Sequence, residues 1–276
     1  MSAALDRAVG DLLRRVNEQA ILPHYRTLQP SDITGKAAND VVTIADHKAE
    51  ALLGEGLVRI EPRLAVVGEE AAHAAPDVLD GLRGDCWLVD PLDGTNNFAA
   101  GHGPFGIIVA LVRGGEARHG WLYDCLTGRL CSAHADAGAF VDGERVRARE
   151  SGASPPVAAM SLVYVDASRR ERLRRRLSGR YQLVDIPRCA AEQYPRLVLG
   201  QNDVSMFERT LPWDHAAGVL FLNEAGGVAA RPDGTPYRAA AWQDRGLLAA
   251  ATPRLWEQLA RSYNDDQSCD SSQLLS

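Results

Sequence analysis

The chain has 276 residues, 46% of them apolar and 24% charged, with a formal net charge of −6 and a pI of about 5.7. That length supports one large core or two closely joined lobes, and the acidic balance argues against a general nucleic-acid surface. No apolar run approaches the roughly 20 residues of a membrane span, and Asp6, Arg7, Asp11, Arg14 and Arg15 interrupt the segment that a secretion signal would need.

From the N-terminus, Leu5, Val9, Leu12, Leu13 and Val16 share one helical face, which predicts an amphipathic first helix. A turn-rich stretch, Gln29 to Gly35, follows. A second helix is expected from Thr43 through Leu53, where Thr43-x-x-Asp46 has the spacing of a capping box with Asp in the place of Glu or Gln. Apolar or alternating runs then predict strands at Leu64–Val67, Trp87–Val89, Ile107–Arg113, Gly120–Tyr123, Arg129–Ala133 and Ala139–Val141. Arg113-Gly114-Gly115-Glu116 and Val141-Asp142-Gly143-Glu144 between them are hairpin signals. The first half therefore reads as helices packed on a mainly antiparallel sheet, residues 1–150.

Ser151-Gly152-Ala153-Ser154-Pro155-Pro156 reads as a linker. Beyond it, strands at Ala158–Val163, Leu183–Ile186 and Val204–Phe207 alternate with helices at Arg169–Leu177 and Ala191–Leu199, an α/β lobe over residues 151–264. An apolar helix is expected from near Asp214 to Glu224. The polar residues 265–276 read as a disordered tail. Five cysteines (Cys86, Cys125, Cys131, Cys189 and Cys269), odd in number and without CxxC spacing, predict reduced thiols in a cytoplasmic compartment.

The chemistry concentrates in Asp90-Pro91-Leu92-Asp93-Gly94-Thr95-Asn96-Asn97-Phe98. Two carboxylates at a strand's C-terminal end can hold hard divalent cations, and the Gly-Thr step offers backbone N–H groups and a hydroxyl to an anion. Gly68-Glu69-Glu70 closes another apolar run, and Asp214 opens a helix, so Glu69 and Asp214 extend the oxygen-rich set. Plainer readings stand beside these. Asp-Pro and Asp-Gly also make tight turns, Glu69 and Glu70 suit a solvated strand end, Thr95 and Asp214 suit helix caps, and Asp46 suits a helix's first turn. Arg169, Arg170, Arg172, Arg174, Arg175 and Arg176 form one basic cluster; it invites a nucleic-acid reading, but without interleaved aromatics it suits a solvated helix face better, or an attractor for a polyphosphorylated ligand or a protein partner.

In their order and separations, Asp40 to Asp46, Gly68-Glu69-Glu70, Asp90 to Phe98, Trp213 to Gly218 and Glu224-Ala225-Gly226-Gly227 resemble the inositol monophosphatase family of Mg²⁺-dependent, lithium-sensitive phosphatases. The resemblance implies a layered αβαβα sandwich of the inositol monophosphatase and fructose-1,6-bisphosphatase type, a site between two lobes, and homodimers. It implies two or three Mg²⁺ ions, replaceable by Mn²⁺, on Glu69, Asp90, the Leu92 carbonyl, Asp93 and Asp214. Glu69 and Thr95 orient the attacking water, and Asp46 sits beside Thr95. Gly94, Thr95, Asp93, Asp214, Cys189 and Glu208 face substrate, and Lys36 lies close by. Trp213 is expected to pack, and His215 to act as neither acid nor base. The implied substrate is a small phosphorylated metabolite such as inositol 1-phosphate; adenosine 3′,5′-bisphosphate, histidinol phosphate and fructose 1,6-bisphosphate are alternatives. A regulatory partner-binding protein on the same fold is the other class.

Overall fold

The structure, a computed structural model, describes residues 2–37 and 40–273; the side chains of residues 2, 3, 36, 37, 40 and 265–273, those of Lys36 and Cys269 among them, lie outside that description. Helix α1 (Ser2–Val16) lays Val9, Leu12, Leu13 and Val16 into the core, as its periodicity predicts. A short antiparallel hairpin, β1 (Ile33–Ala37) and β2 (Asp40–Thr43), occupies part of the stretch that reads as turns, because Thr34-Gly35-Lys36 carries no apolar alternation to announce a strand. Helix α2 (Ile44–Ile60) begins at the expected capping box: Thr43 Oγ1 accepts the Ala45 N–H at 3.1 Å, and Asp46 Oδ2 accepts the Thr43 N–H at 2.8 Å.

Strand β3 (Ala65–Gly68) runs into the short helix α3 (Glu69–Ala74). Strand β4 (Cys86–Asp93) is buried along its whole length and ends at the turn into α4 (Thr95–Ala99). β5 (Gly106–Arg113), β6 (Glu116–Asp124), β7 (Leu130–His134), β8 (Gly138–Val141) and β9 (Glu144–Val146) continue a seven-stranded sheet in chain order, with only β3 and β4 parallel. The mainly antiparallel first sheet is thus present.

After the Ser151–Pro156 linker, whose Ser151 N–H is held by Asp203, come β10 (Val157–Ser161), α5 (Ala167–Leu177), β11 (Gln182–Val184), α6 (Ala190–Val198), β12 (Val204–Phe207), α7 (Pro212–Glu224), β13 (Val228–Ala230), β14 (Leu247–Ala250) and α8 (Pro253–Gln273). The second sheet has the order β11-β10-β12-β14-β13. Its last two strands are brief Ala- and Leu-rich runs that carry no clear period in sequence. Helix α8 reaches Gln273, so its backbone continues through nine residues that read as tail; no Gly or Pro interrupts Arg254–Gln273 to stop the ladder.

Three apolar clusters define the layers. One lies between α1, α2 and the seven-stranded sheet, one surrounds α6 and α7 between the two sheets, and one lies beneath α5 and α8. This is the αβαβα arrangement. Because α6 and α7 share one core with both sheets, the change of sheet near residue 150 does not separate two independent cores. Among the described residues, no helix is long and apolar enough to cross a membrane.

Candidate active site

In a regular strand, residues three apart point to opposite faces, so Asp90 and Asp93 would diverge. They do not, because β4 carries a bulge. Asp90 pairs with Ile108 and Asp93 with Gly106, three residues against two. The extra residue resets the alternation and turns both carboxylates into one cleft. Asp90 Oδ1 accepts the Leu92 N–H at 3.0 Å, which steadies the bulged backbone. Asp93 Oδ2 accepts the Ala191 N–H at 2.6 Å across the lobes.

Glu69 is aimed by a residue that the sequence did not single out. Glu50, on α2, accepts the Glu70 and Ala71 N–H groups, each at 2.8 Å, and so satisfies the opening amides of α3. Gly68 makes room for it: a Cβ there would meet Glu50 Oε2 at 2.4 Å. Glu70 is buried rather than solvated. Glu69, at the start of α3, faces the cleft instead.

Asp46 lies at the centre of a second group. Its Oδ2 takes hydrogen bonds from the Thr43 N–H and from Thr43 Oγ1 (2.6 Å), and its Oδ1 accepts from Thr95 Oγ1 at 3.1 Å. Thr95 Oγ1 also reaches the Leu92 carbonyl at 2.8 Å. A hydroxyl has one hydrogen, so these two acceptors share it. Burial is the largest influence on Asp46 and raises its pKa to about 7 against the Thr43 hydrogen bonds. Asp46 therefore caps α2 and at the same time holds the Thr95 hydroxyl.

Asp214 enters from the first turn of α7. Carboxylate oxygens of Glu69, Asp90 and Asp214 all lie within 4.8 Å of one another. Desolvation, then repulsion from Glu69, Asp93 and Asp214, pushes the Asp90 pKa well up, and desolvation raises Asp93 to about 6. Acidic groups crowd together here. An all-oxygen donor set without nitrogen or sulfur suits a hard divalent cation such as Mg²⁺, and the Leu92 carbonyl keeps a lone pair beyond the one that Thr95 uses.

The turn into α4 requires glycine. Gly94 has φ of 86°, and a Cβ there would meet the Pro104 carbonyl at 2.9 Å and Cys189 Cβ at 3.3 Å. Asn97, also missed in sequence, donates to the Pro104 and Pro187 carbonyls at 2.8 and 2.9 Å and ties the two lobes. Cys189 lines the cleft as a buried thiol, its Sγ 3.8 Å from the Asp93 carbonyl. Cys86, Cys125, Cys131 and Cys189 are all free and buried.

His215 is neutral. Its Nε2 meets the Arg209 carbonyl, which only accepts, so Nε2 carries the proton and Nδ1 accepts from Tyr194 Oη at 2.8 Å. Burial lowers its pKa to about 3, and Trp213 is buried beside it.

Glu208 corrects the sequence reading. It is buried and pairs with Arg169 Nη1 at 3.1 Å, and it does not line the cleft; Phe207 and Arg209 do. Burying a carboxylate demands a cationic partner, and Arg169, 39 residues away, supplies it. The arginine cluster is accordingly not one open surface. Arg169 also donates to Tyr263 Oη, Arg170 to the Val165 carbonyl, and Arg176 to the Ser262 carbonyl.

The profile of the inositol monophosphatase family matches residues 4–268. An inositol-1-monophosphatase of Bacillus subtilis is 28% identical over 82% of this chain and 84% of its own length. The Nus factor SuhB of Vibrio cholerae is 30% identical over 80% of this chain and 81% of its own length. A solved Thermotoga maritima IMPase superposes with a TM-score of 0.80 at 25% identity, covering 96% of this chain and 98% of that one. The chain belongs to the inositol monophosphatase family of phosphoric monoester hydrolases.

Proposed function

We propose that the chain hydrolyses a small phosphate monoester with Mg²⁺, in the manner of an inositol-1-monophosphatase, by direct attack of water on phosphorus. The observation that carries this reading is the convergence of Glu69, Asp90 and Asp214 oxygens within 4.8 Å beside the Asp46–Thr95 pair. Glu69, Asp90, Asp93, Asp214 and the Leu92 carbonyl would hold two or three ions, for which Mn²⁺ can substitute. When bound, such ions supply Lewis-acid stabilisation of phosphoryl charge and lower the proton affinity of neighbouring water.

The residues of the chain do the rest. Glu69 accepts from the attacking water and aims it. Thr95 Oγ1 accepts a proton as it passes its own to Asp46 Oδ1, a carboxylate whose pKa near 7 makes it a usable acceptor at neutral pH. The Gly94 and Thr95 amides face the phosphate. No covalent phosphoenzyme is required, because no side chain has to act as the nucleophile.

Phosphate release in Mg²⁺ from inositol 1-phosphate, adenosine 3′,5′-bisphosphate, histidinol phosphate and fructose 1,6-bisphosphate tests the reading. Thr95→Val removes the relay hydroxyl while preserving shape and is expected to lower kcat about a hundredfold with little change in KM. Failure to cleave any ester, or full turnover by Thr95→Val, would contradict it. A partner-binding role analogous to the Nus factor named among the relatives finds less support, since Arg169, Arg170 and Arg176 are engaged within the chain.

A further inference from the structure

Asp93 stands in a row. The register pairs it with Gly106 of β5, and Gly106 with Asp124 of β6, so the three residues lie side by side across three strands. The first turn of α6 crosses this row at its middle member. A Cβ on Gly106 would meet the Ala191 Cβ at 2.7 Å and the Tyr123 carbonyl at 2.5 Å, so only glycine lets the helix come this close. On one side of the crossing, Asp93 Oδ2 accepts the Ala191 N–H at 2.6 Å. On the other, Arg129 in the turn between β6 and β7 donates through Nη2 to Oε2 of Glu192, the next residue along the helix. Two ties thus straddle Gly106, one ending on a carboxylate of the active cleft.

Arg129 is fixed within its own turn. The Asp124 N–H donates to the Arg129 carbonyl at 3.0 Å, and Asp124 Oδ2 lies 3.8 Å from Arg129 Nη2. Asp124 Oδ1 accepts the Leu126 and Thr127 N–H groups at 2.9 and 3.1 Å, which sets the shape of the turn. Glu192 does not depend on Arg129 to suit its helix. It sits in the first turn of α6, where the dipole favours a carboxylate, and its Oε1 accepts from Arg196 Nε at 2.7 Å with the favourable i,i+4 order. What Arg129 adds is position, because it joins that turn to the first lobe. The side chains of Arg129 and Glu192 are only 20% and 13% exposed, so solvent screens their attraction far less than it would at the surface.

We propose that Arg129, acting through Glu192, is a positioning residue: it holds the first turn of α6 where the Ala191 N–H fixes the Asp93 carboxylate for divalent-cation binding. A ligand carboxylate that is itself hydrogen-bonded keeps one orientation, and such outer partners are worth about 10–100-fold in metal affinity. The assignment rests on the phosphatase reading, in which Asp93 is a ligand, and adds to it a tie that reaches the cleft from outside.

Two measurements on the full chain test it. In chelator, hydrogen–deuterium exchange at the Ala191 amide reports whether Arg129 holds α6; calorimetry with Mn²⁺ reports whether that hold reaches the cleft. Arg129→Met keeps the aliphatic stem and removes the guanidinium. It is expected to speed Ala191 exchange about tenfold and to weaken Mn²⁺ binding about tenfold. Glu192→Gln, which can still bond Arg196, should do the same, whereas Arg129→Lys keeps the charge and should retain most of the affinity. Arg254→Met breaks an exposed pair with Glu150 and should change neither quantity. Faster exchange with unchanged Mn²⁺ affinity would overturn the proposal, leaving Arg129 a structural tie alone. Unchanged exchange in Arg129→Met would overturn it too, since α6 would then be held without the arginine. Turnover separates this assignment from the reading beneath it. Arg129-dependent Mn²⁺ binding without cleavage of any ester keeps the tie and removes the hydrolase; turnover with Mn²⁺ affinity indifferent to Arg129 does the reverse.

Discussion

Asp90→Asn is expected to reduce phosphate-ester turnover by about a thousandfold or more, the scale of losing several kcal/mol of charge stabilisation, while the chain stays folded. The amide is nearly isosteric and its Oδ1 can still accept the Leu92 N–H at 3.0 Å, so the bulge that brings Asp90 and Asp93 together survives. What disappears is one negative charge from a buried group that Glu69, Asp93 and Asp214 already repel. Without divalent cations the variant should therefore melt at a higher temperature than the unaltered chain. With Mg²⁺ the order should narrow or reverse, because binding to the folded state alone adds stability by mass action and the variant binds less well. Thermal unfolding with chelator and with Mg²⁺ measures both effects. Turnover near the original rate, or the same Mg²⁺ response in both proteins, would remove Asp90 from the site.

The same crowding sets the pH dependence. Asp46 with a pKa of about 7 and Asp93 with one of about 6 both stand above the ordinary value of 3.8, chiefly through burial. Between those limits the folded chain binds more protons than the unfolded one, so its stability falls as pH rises. The contribution is whole below about pH 4 and is lost through pH 6 to 7. In chelator, then, the midpoint of urea unfolding should drop from pH 5 to pH 7.5. Mg²⁺ should shrink that drop, since it competes with protons for the same carboxylates. A midpoint that rises across this interval in chelator would mean that these acids are stabilised by their surroundings.

Legibility of the fold followed how local each cause was. The α1 face and the Thr43–Asp46 box depend on neighbours within a turn or two, and they stood in the sequence. The Asp90–Asp93 pair was visible as a motif, but its convergence depends on a bulge whose register is set by β5. Glu50 looked like any helix glutamate because the amides that it serves, at Glu70 and Ala71, belong to another element. Glu208 was misplaced for the related reason that its cation, Arg169, comes from α5. The second lobe was the less readable half for substrate choice: its wall is assembled from turns around Tyr164, Arg188 and Arg209, where periodicity carries no information. Asp46 and Thr95, 49 residues apart, could be joined beforehand only through the family resemblance.

Gly218→Ala is expected to be among the most destabilising single-methyl additions in this chain. In an exposed helix the change would help by about 1 kcal/mol, since alanine is the better helix former. Here α7 is not exposed. A Cβ at position 218 would stand 2.0, 2.3 and 2.5 Å from three atoms of the Tyr194 ring. The ring cannot readily yield, because it is fully buried, stacks on Phe207 with centroids 5.7 Å apart, and donates its hydroxyl to His215. Nor can α7 back away: on the side of the first sheet, a Cβ at Gly120 would already lie 2.9 Å from Ala217 Cα. Overpacking therefore outweighs propensity, and a net loss of about 2–4 kcal/mol should follow. For a chain of this size each kcal/mol moves the melting temperature by roughly 2–4 °C. Activity should fall further than stability, because Asp214 lies one turn before Gly218 on the same helix, and any shift of α7 moves that carboxylate away from Glu69 and Asp90. The signature is a lowered Mg²⁺ affinity measured well below the melting temperature. If Gly218→Ala proves as stable as the parent, then α6 and α7 do not meet as closely as the glycine implies, and the placement of Asp214 is not fixed by that contact.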